Sequence, residues 1–121
     1  MATHNETGKK GEEDAVRHLR EEGYEILERN WTWGKKEVDI IAKHQDQIIV
    51  VEVKTRSSDA FGDPSEFINI KKQRFVIRAA DAYLKLKNID LETRFDVISV
   101  IREPNETRIQ HIKRAFYPLV R

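Results

Sequence analysis

The chain has 121 residues, of which 39% are hydrophobic and 36% are charged, and it contains no cysteine. This length is the usual size of one domain, so we expect a single domain over residues 1–121. No apolar stretch reaches the roughly 18 residues that cross a bilayer, and the first residues lack the apolar core of a signal peptide, so the sequence predicts a cytoplasmic protein without membrane contact. The absence of cysteine excludes disulfides, thiolate metal sites and cysteine nucleophiles, which leaves oxygen and imidazole as metal ligands.

The net charge of +1 is distributed unevenly along the chain. Residues 9–28 carry four basic and seven acidic side chains, net −3, whereas residues 71–87 carry six basic and one acidic, net +5. Such asymmetry is typical of a protein that presents one basic face to phosphates. A solvated helix face gives the same pattern, so charge alone leaves both interpretations open.

The first predicted element is a helix that ends at Glu22, before Gly23, and begins near residue 11 after a flexible opening at residues 7–11. Glu12 shares its apolar stripe, because the positions i+3, i+4 and i+7 from it are Ala15, Val16 and Leu19. A carboxylate on a core-facing stripe is unusual. Either Glu12 compensates the helix dipole, which any acid in the first turn can do, or it belongs to a functional site.

Three strands are predicted next, at residues 24–33, 38–42 and 48–54, with turns between them. The third is continuously apolar until Glu52-Val53-Lys54, which is typical of a central strand covered on both faces. Glu52 and Lys54 are two residues apart and therefore project from the same face. An antiparallel hairpin of the second and third strands brings Asp39 close to both. The alternative is an ordinary salt bridge between Glu52 and Lys54, with Asp39 at a wet sheet edge.

The second half of the chain supplies a loop, a helix and one further main strand. Residues 55–64 are rich in turn formers and are predicted to be a mobile loop that faces the substrate. Asn69 is predicted to cap a helix that runs to about Lys87. A strand at residues 95–101 then enters the sheet parallel to the Glu52 strand by a right-handed crossover, and residues 108–112 form a short edge strand. The order α-β-β-β-α-β predicts an α/β fold with helices on the faces of a central mixed sheet.

Several kinds of site have no sequence pattern in this chain. The four histidines show no metal-ligand spacing, and there is neither a glycine-rich phosphate loop nor a serine nucleophile elbow. Trp31 and Trp33 could stack on bases, but aromatic residues in a strand more often pack in a core or at an edge, and no site is assigned to them. Carboxylates with one lysine suit a hard cation such as Mg²⁺ or Mn²⁺.

An acid on one strand and acid-x-Lys on the next, placed between two helices, resembles the core of the PD-(D/E)xK nuclease superfamily, the restriction-endonuclease-like fold. Over nearly its whole length the chain is similar to the bacterial YraN or UPF0102 family, which is related to archaeal Holliday-junction resolvases. The matching stretches, in chain order, are Gly8, Gly11-Glu12, Ala15, Leu19, Gly23-Tyr24, Ile26-Leu27, Asn30, Glu37-Val38-Asp39-Ile40-Ile41-Ala42, Val51-Glu52-Val53-Lys54-Thr55-Arg56, Phe61-Gly62, Pro64, Lys71, Arg94-Phe95-Asp96-Val97 and Ala115-Phe116.

The resemblance implies that Asp39 and Glu52 bind a divalent metal, Mg²⁺ or Mn²⁺. It further implies that Lys54 orients or activates the attacking water and that Glu12 completes the acidic cluster. Independently of the family, two close carboxylates raise each other's pKa unless a cation lies between them. These four residues are therefore the candidate catalytic set.

The leading hypothesis is a metal-dependent endonuclease that acts on DNA, on branched or flap structures in particular. The predicted nucleic-acid contacts are made by four basic residues of the loop and the second helix: Arg56, Lys71, Lys72 and Arg74. One alternative is a nucleic-acid-binding module of nuclease fold with weak or no cleavage, and another is a protein-interaction domain. A homodimer is compatible with each of these hypotheses.

Overall fold

The computed structural model describes residues 4–57 and 68–118, with side chains from residue 8 onward within these ranges. Two helices and five strands make up the described parts. In chain order they are α1 (His4–Glu21), β1 (Glu25–Trp33), β2 (Lys36–His44), β3 (Gln47–Arg56), α2 (Ile70–Lys87), β4 (Glu92–Glu103) and β5 (Glu106–Phe116).

The strands form one mixed sheet in the spatial order β1-β2-β3-β4-β5. Neighbouring strands are antiparallel except β3 and β4, which are parallel. The mixed α/β class, the hairpin of β2 and β3 and the parallel entry of β4 are confirmed. The fold is that of a restriction-endonuclease-like core, with a last strand that is much longer than the predicted segment at residues 108–112.

The two helices cover opposite faces of the sheet. The side chains of β3 alternate between the two faces and show which helix covers each. Val51 and the partly buried Val53 pack with Ala15, Val16 and Leu19 of α1, in what we call the α1-side core. Ile48 and Val50 pack with Val76, Ala79, Ala80 and Tyr83 of α2, in the α2-side core. Glu52 and Lys54 continue the second series, so the acid-x-Lys pair belongs to the α2 face of the central strand.

The start of the second helix follows the predicted cap. Asn69 has extended backbone angles, and its side chain accepts a 2.8 Å hydrogen bond from the backbone N–H of Lys72. This satisfies one of the donors that the first turn of any helix leaves without a partner. At the other end Asn88 adopts the left-handed conformation that closes the helix.

Two predicted boundaries are wrong. The first helix begins at His4, so residues 7–11 are helical and not a flexible opening. The strand that carries Glu52 continues through Thr55 and Arg56, which the sequence analysis placed in the substrate-facing loop. Residues 58–64 of that predicted loop lie outside the described residues.

Gly11 is in the helix because α1 crosses β3 at very short range there. A Cβ atom built on Gly11 would lie 2.0 Å from Thr55 Oγ1 and 3.1 Å from Thr55 Cβ. A separation of 2.0 Å is far inside van der Waals contact, so only glycine fits without a shift. This close approach holds the next residue of α1, Glu12, against the end of β3.

We therefore expect Gly11→Ala to destabilise the fold by about 1–3 kcal/mol, because the added methyl group must displace Thr55 or the helix. Urea unfolding measures the change. The control is Gly8→Ala in the same helix, where no described atom beyond the neighbouring residues and the helix's own backbone lies within 4 Å of the added carbon. That variant should be stabilised by up to about 1 kcal/mol. Adding Thr55→Ala to Gly11→Ala should restore most of the loss, and an unrepaired double variant would contradict the close-approach argument.

The buried carboxylate of Asp96 joins β4 to β5 on the α1 side of the sheet. Asp96, which is fully buried, accepts hydrogen bonds from Arg94 at 2.9 and 2.8 Å, and His111 Nε2 lies 2.7 Å from its carboxylate. Burial alone would raise the pKa of Asp96, but the bonds from His111 and Arg94 outweigh it and hold the pKa below its ordinary value. His18 Nε2 lies 3.2 Å from His111 Nδ1, a hydrogen-bond distance and not a metal-ligand arrangement.

In the described parts of the chain, neither helix has the length and apolar character needed to cross a membrane.

Candidate active site

Asp39 and Glu52 face each other where the hairpin of β2 and β3 stops pairing. The last regular pair at this end is Ile40 with Val51. Beyond this pair, each carboxylate accepts a hydrogen bond from a backbone N–H of the opposite strand, in place of a backbone carbonyl. The backbone N–H of Val53 donates to Asp39 Oδ2 at 2.8 Å, and the backbone N–H of Asp39 donates to Glu52 Oε2 at 3.3 Å. The two acids are thereby held in place by backbone, which is the rigid support that a catalytic carboxylate needs.

The strand that carries Asp39 is irregular at this point. Val38 packs in the α2-side core and Ile40 in the α1-side core, although residues two apart normally share a face. On the neighbouring strand the residue opposite Asp39 is Asn30, whose φ of 52° is uncommon for a residue with a side chain but tolerated by asparagine. This local twist places Asp39 at the break between the two cores.

Both carboxyl groups have raised pKa values. Burial, and then the charge of Asp39, raise the pKa of Glu52 to about 7, although a nearby lysine and a backbone hydrogen bond oppose the shift. Burial also raises the pKa of Asp39, with the hydrogen bond from Val53 acting against it. Glu52 is only 3% exposed. A buried acid next to a half-buried one favours any cation that can lie beside both.

Lys72 of α2 is the cation that contacts Glu52 in the structure. Its Nζ lies 3.2 Å from Glu52 Oε1 and 3.4 Å from the backbone oxygen of Glu37. From the sequence, Lys72 is predicted to contact nucleic acid together with its neighbours on α2. The structure places it at the acidic pair, whereas Lys71 and Arg74 are exposed and line a surface groove.

Lys54 and Arg56 lie further along β3, and both are half-buried. The charge of Lys54 lowers the pKa of Asp39, which places the ammonium group near the acidic pair. The structure thus brings together Asp39, Glu52 and Lys54, as the hairpin prediction required.

Glu12 reaches the same cluster from the opposite layer. Burial, and then the negative charge of Asp39, raise its pKa, while Arg29 and a hydrogen bond with Asn30 act in the other direction. Its Oε1 atom is buried and has no hydrogen-bond partner among the described residues. Because α1 begins at His4, Glu12 is well past the first turn, so helix-dipole compensation is the wrong explanation for it.

Comparison with known proteins identifies the family of this chain. The family model described as "Uncharacterised protein family UPF0102" matches residues 11–100, which include all four candidate residues. The chain belongs to the UPF0102 family. Similar proteins, each named only as a UPF0102 protein, come from Bacteroides thetaiotaomicron (52% identical) and Phocaeicola vulgatus (48%), both over 98% of each chain, and from Flavobacterium psychrophilum (46% identical, over 97% of this chain and 98% of the relative).

The acidic cluster of this UPF0102 chain fits a hard divalent cation in its donor chemistry. The groups it offers are carboxylates with raised pKa values, and Glu12 adds one buried oxygen that lacks a hydrogen-bond partner among the described residues. Within residues 4–57 and 68–118, no group of three or more acidic or imidazole side chains is arranged to hold a metal ion. Asp39 and Glu52 are therefore the pair that could hold an ion.

The raised pKa of Glu52 predicts how stability depends on pH in the metal-free UPF0102 chain. A carboxyl group with a pKa of 4.5 unfolded and about 7 folded contributes stability below pH 4.5 that is lost as the pH rises through 7. The loss is of the order of 2–3 kcal/mol. Chemical unfolding at pH 5.5 and pH 8 measures it, and Glu52→Gln should show a smaller decline. An equal decline in both proteins would contradict the assignment to Glu52.

Glu12→Gln tests whether Glu12 belongs to the cluster. Removing one of three crowded negative charges should leave the metal-free fold at pH 8 equally stable or more stable, because the ionised form of Glu12 is disfavoured in the fold. The stabilisation by Mn²⁺ should fall. Thermal midpoints with and without Mn²⁺ measure both effects. A lower metal-free midpoint with an undiminished response to Mn²⁺ would remove Glu12 from the site.

Proposed function

We propose that this chain is a Mg²⁺- or Mn²⁺-dependent endonuclease that hydrolyses phosphodiester bonds of DNA, on branched or flap structures. The observation that carries the proposal is the mutual bracing of Asp39 and Glu52 at the open end of the hairpin. Each accepts a backbone N–H from the opposite strand, both have raised pKa values, and Lys54 follows on the same face of β3.

The chain's own groups have separate parts in this reaction. When bound, the divalent ion supplies charge that polarises the phosphodiester and lowers the pKa of water. Asp39 and Glu52 would hold that ion through carboxylate oxygens that the backbone keeps in place. Lys54 places a positive charge next to the attacking water and offsets the charge that develops on the phosphate oxygens. Glu12 accepts a hydrogen bond or a proton at the edge of the cluster.

A second candidate function is a nucleic-acid-binding module that does not cleave. Lys72 favours it, because its ammonium group already neutralises Glu52 at 3.2 Å. A protein that uses this ion pair permanently would keep the fold and the basic surface without taking up a metal.

The test is a cleavage screen with end-labelled DNA as single strand, duplex, flap and four-way junction, each with Mg²⁺, Mn²⁺, Ca²⁺ or chelator. The proposal expects metal-dependent products from at least one branched substrate. The matched control is Asp39→Asn, purified identically, since a contaminating nuclease would persist in that preparation. Binding of the same substrates without cleavage in any metal would select the second candidate function.

A further inference from the structure

A surface groove lies between the turn that joins β1 to β2 and the first half of α2. Its volume is about 700 Å³. Five of the residues that line it are basic: Lys35, Lys36, Lys71, Arg74 and Arg78. All five side chains are exposed, and none of the described residues that line the groove is acidic. Such a concentration of positive charge on one concave surface favours a polyanion.

Two aromatic rings also line the groove. The ring centres of Trp33 and Phe75 are 5.9 Å apart with their planes tilted by 36°, and both residues are half-buried. Lys36 Nζ lies 5.7 Å and Lys72 Nζ 5.3 Å from the centre of the Phe75 ring. By contrast, Trp31 packs edge-on against Tyr83 at 5.2 Å in the α2-side core. Of the two tryptophans, Trp33 is the one that lines the basic surface.

A second opening along α2 shares Trp33 and Arg78 with the groove but differs from it in charge. Its lining is mostly apolar, and its other two charged residues, Asp81 and Lys85, form an ion pair at 2.8 Å. The concentration of five basic residues beside the rings of Trp33 and Phe75 therefore belongs to the groove.

The groove adjoins the acidic cluster through Lys72. The same ammonium group lies 3.2 Å from Glu52 and 5.3 Å from the centre of the Phe75 ring. A DNA strand that follows the groove toward β3 would therefore reach the carboxylates. Because paired bases hide their faces in the duplex stack, ring contacts are available only to unpaired bases, whereas cations alone would serve any DNA equally.

We propose that this groove binds a single-stranded segment of DNA, with its bases stacked on Trp33 and Phe75 and its phosphates held by the basic residues around them. The proposal rests on the proposed function, since it makes the groove the part of the endonuclease that holds the unpaired arm of a branched or flap substrate.

Binding of the whole protein to two DNA strands in chelator tests the proposal without any mutation. One strand is a labelled thymidine 20-mer, and the other has the same phosphates but abasic spacers at every position. Loss of stacking on even one base should weaken binding about tenfold. Equal affinity for the two strands would overturn the stacking proposal, as would tighter binding of blunt duplex than of the thymidine strand.

Variants then locate the contact. Trp33→Ala should weaken binding of the thymidine strand about tenfold, toward the level of the abasic strand, and Trp31→Phe should leave binding unchanged. Charge reversal of Lys71 and Arg74 should lower the slope of log affinity against log salt by more than one unit, because each phosphate contact accounts for about 0.7 of the slope on a single strand. An unchanged slope would overturn the assignment of the phosphates to this groove.

These measurements are independent of catalysis. Selective binding of single strands by a protein that never cleaves would overturn the proposed function and keep the groove assignment. Metal-dependent cleavage with equal affinity for thymidine and abasic strands would keep the proposed function and overturn the groove assignment. If thermal unfolding shows that Trp33→Ala does not fold, Phe75→Leu takes its place, and the abasic comparison on the unmutated protein decides in either case.

Discussion

Asp39→Asn and Glu52→Gln should each lower the rate of metal-dependent DNA cleavage by about a hundred- to a thousandfold, without loss of the fold. Each substitution removes one of the two negative charges that would hold the ion, so the stabilisation of the transition state that depends on the ion is lost. The substituted side chains keep the shapes of the original ones. An amide oxygen at position 39 can still accept from Val53 N, which now donates to Asp39 Oδ2 at 2.8 Å.

Three measurements separate catalysis from folding in these variants. Cleavage rates should fall in both, calorimetric Mn²⁺ binding should fall in both, and thermal midpoints at pH 8 should stay level, or rise for Glu52→Gln because ionised Glu52 is disfavoured in the fold. Lys54→Met is the matched third variant. It should lose cleavage while it keeps Mn²⁺ binding, since lysine is not a metal ligand. An unchanged cleavage rate in Asp39→Asn would exclude the mechanism with two carboxylates.

The acidic pair could be predicted from sequence because a hairpin turns spacing along the chain into contact in space. Only Gln45 and Asp46 separate β2 from β3, and Gln45 has the positive φ of a tight turn. With so short a turn, the register follows by counting outward, which places Asp39 opposite Glu52. The continuous apolar run before Glu52 likewise predicted a central strand.

Glu12 lies on a helix, as predicted, but the start of that helix was not predicted correctly. Gly8 and Gly11 indicate a flexible segment, since glycine is a poor helix former. In the structure Gly11 is needed where α1 touches Thr55, and that distance depends on how the helix packs on the sheet. Propensity describes a residue by itself and contains no information about such a contact.

The contacts that sequence reasoning missed all join elements that are distant in the chain. Lys72 meets Glu52 across 20 residues of sequence, and the groove joins the β1–β2 turn to α2. Arg29 and Asn30 act on Glu12 from the edge strand. Where α2 crosses the sheet is decided by the packing of its whole buried face, so no local pattern shows which of its six basic residues reaches the acids. The one available signal was the position of Lys72 in the first turn after the Asn69 cap.

Lys72→Met should make the metal-free protein less stable and its response to metal larger. At pH 8 the substitution leaves Glu52 buried beside Asp39 without its counter-ion. Breaking a fully buried pair costs about 3–5 kcal/mol, and because the Lys72 side chain is 33% exposed we expect about 1–3 kcal/mol here. At pH 5.5 the difference should shrink, since Glu52, with a pKa of about 7, is then mostly protonated and no longer needs a cation.

Lys72 also competes with a divalent ion for the oxygens of Glu52, so its loss should increase the affinity for Mn²⁺ several-fold and enlarge the rise in thermal midpoint that Mn²⁺ produces. Lys71→Met is the control for stability, because Lys71 is exposed on the same turn of α2. It should change neither the metal-free midpoint nor the Mn²⁺ response. If Lys72→Met instead weakened Mn²⁺ binding, Lys72 would be a support of the metal site and not its competitor. The ion pair with Glu52 would then no longer favour a module without cleavage.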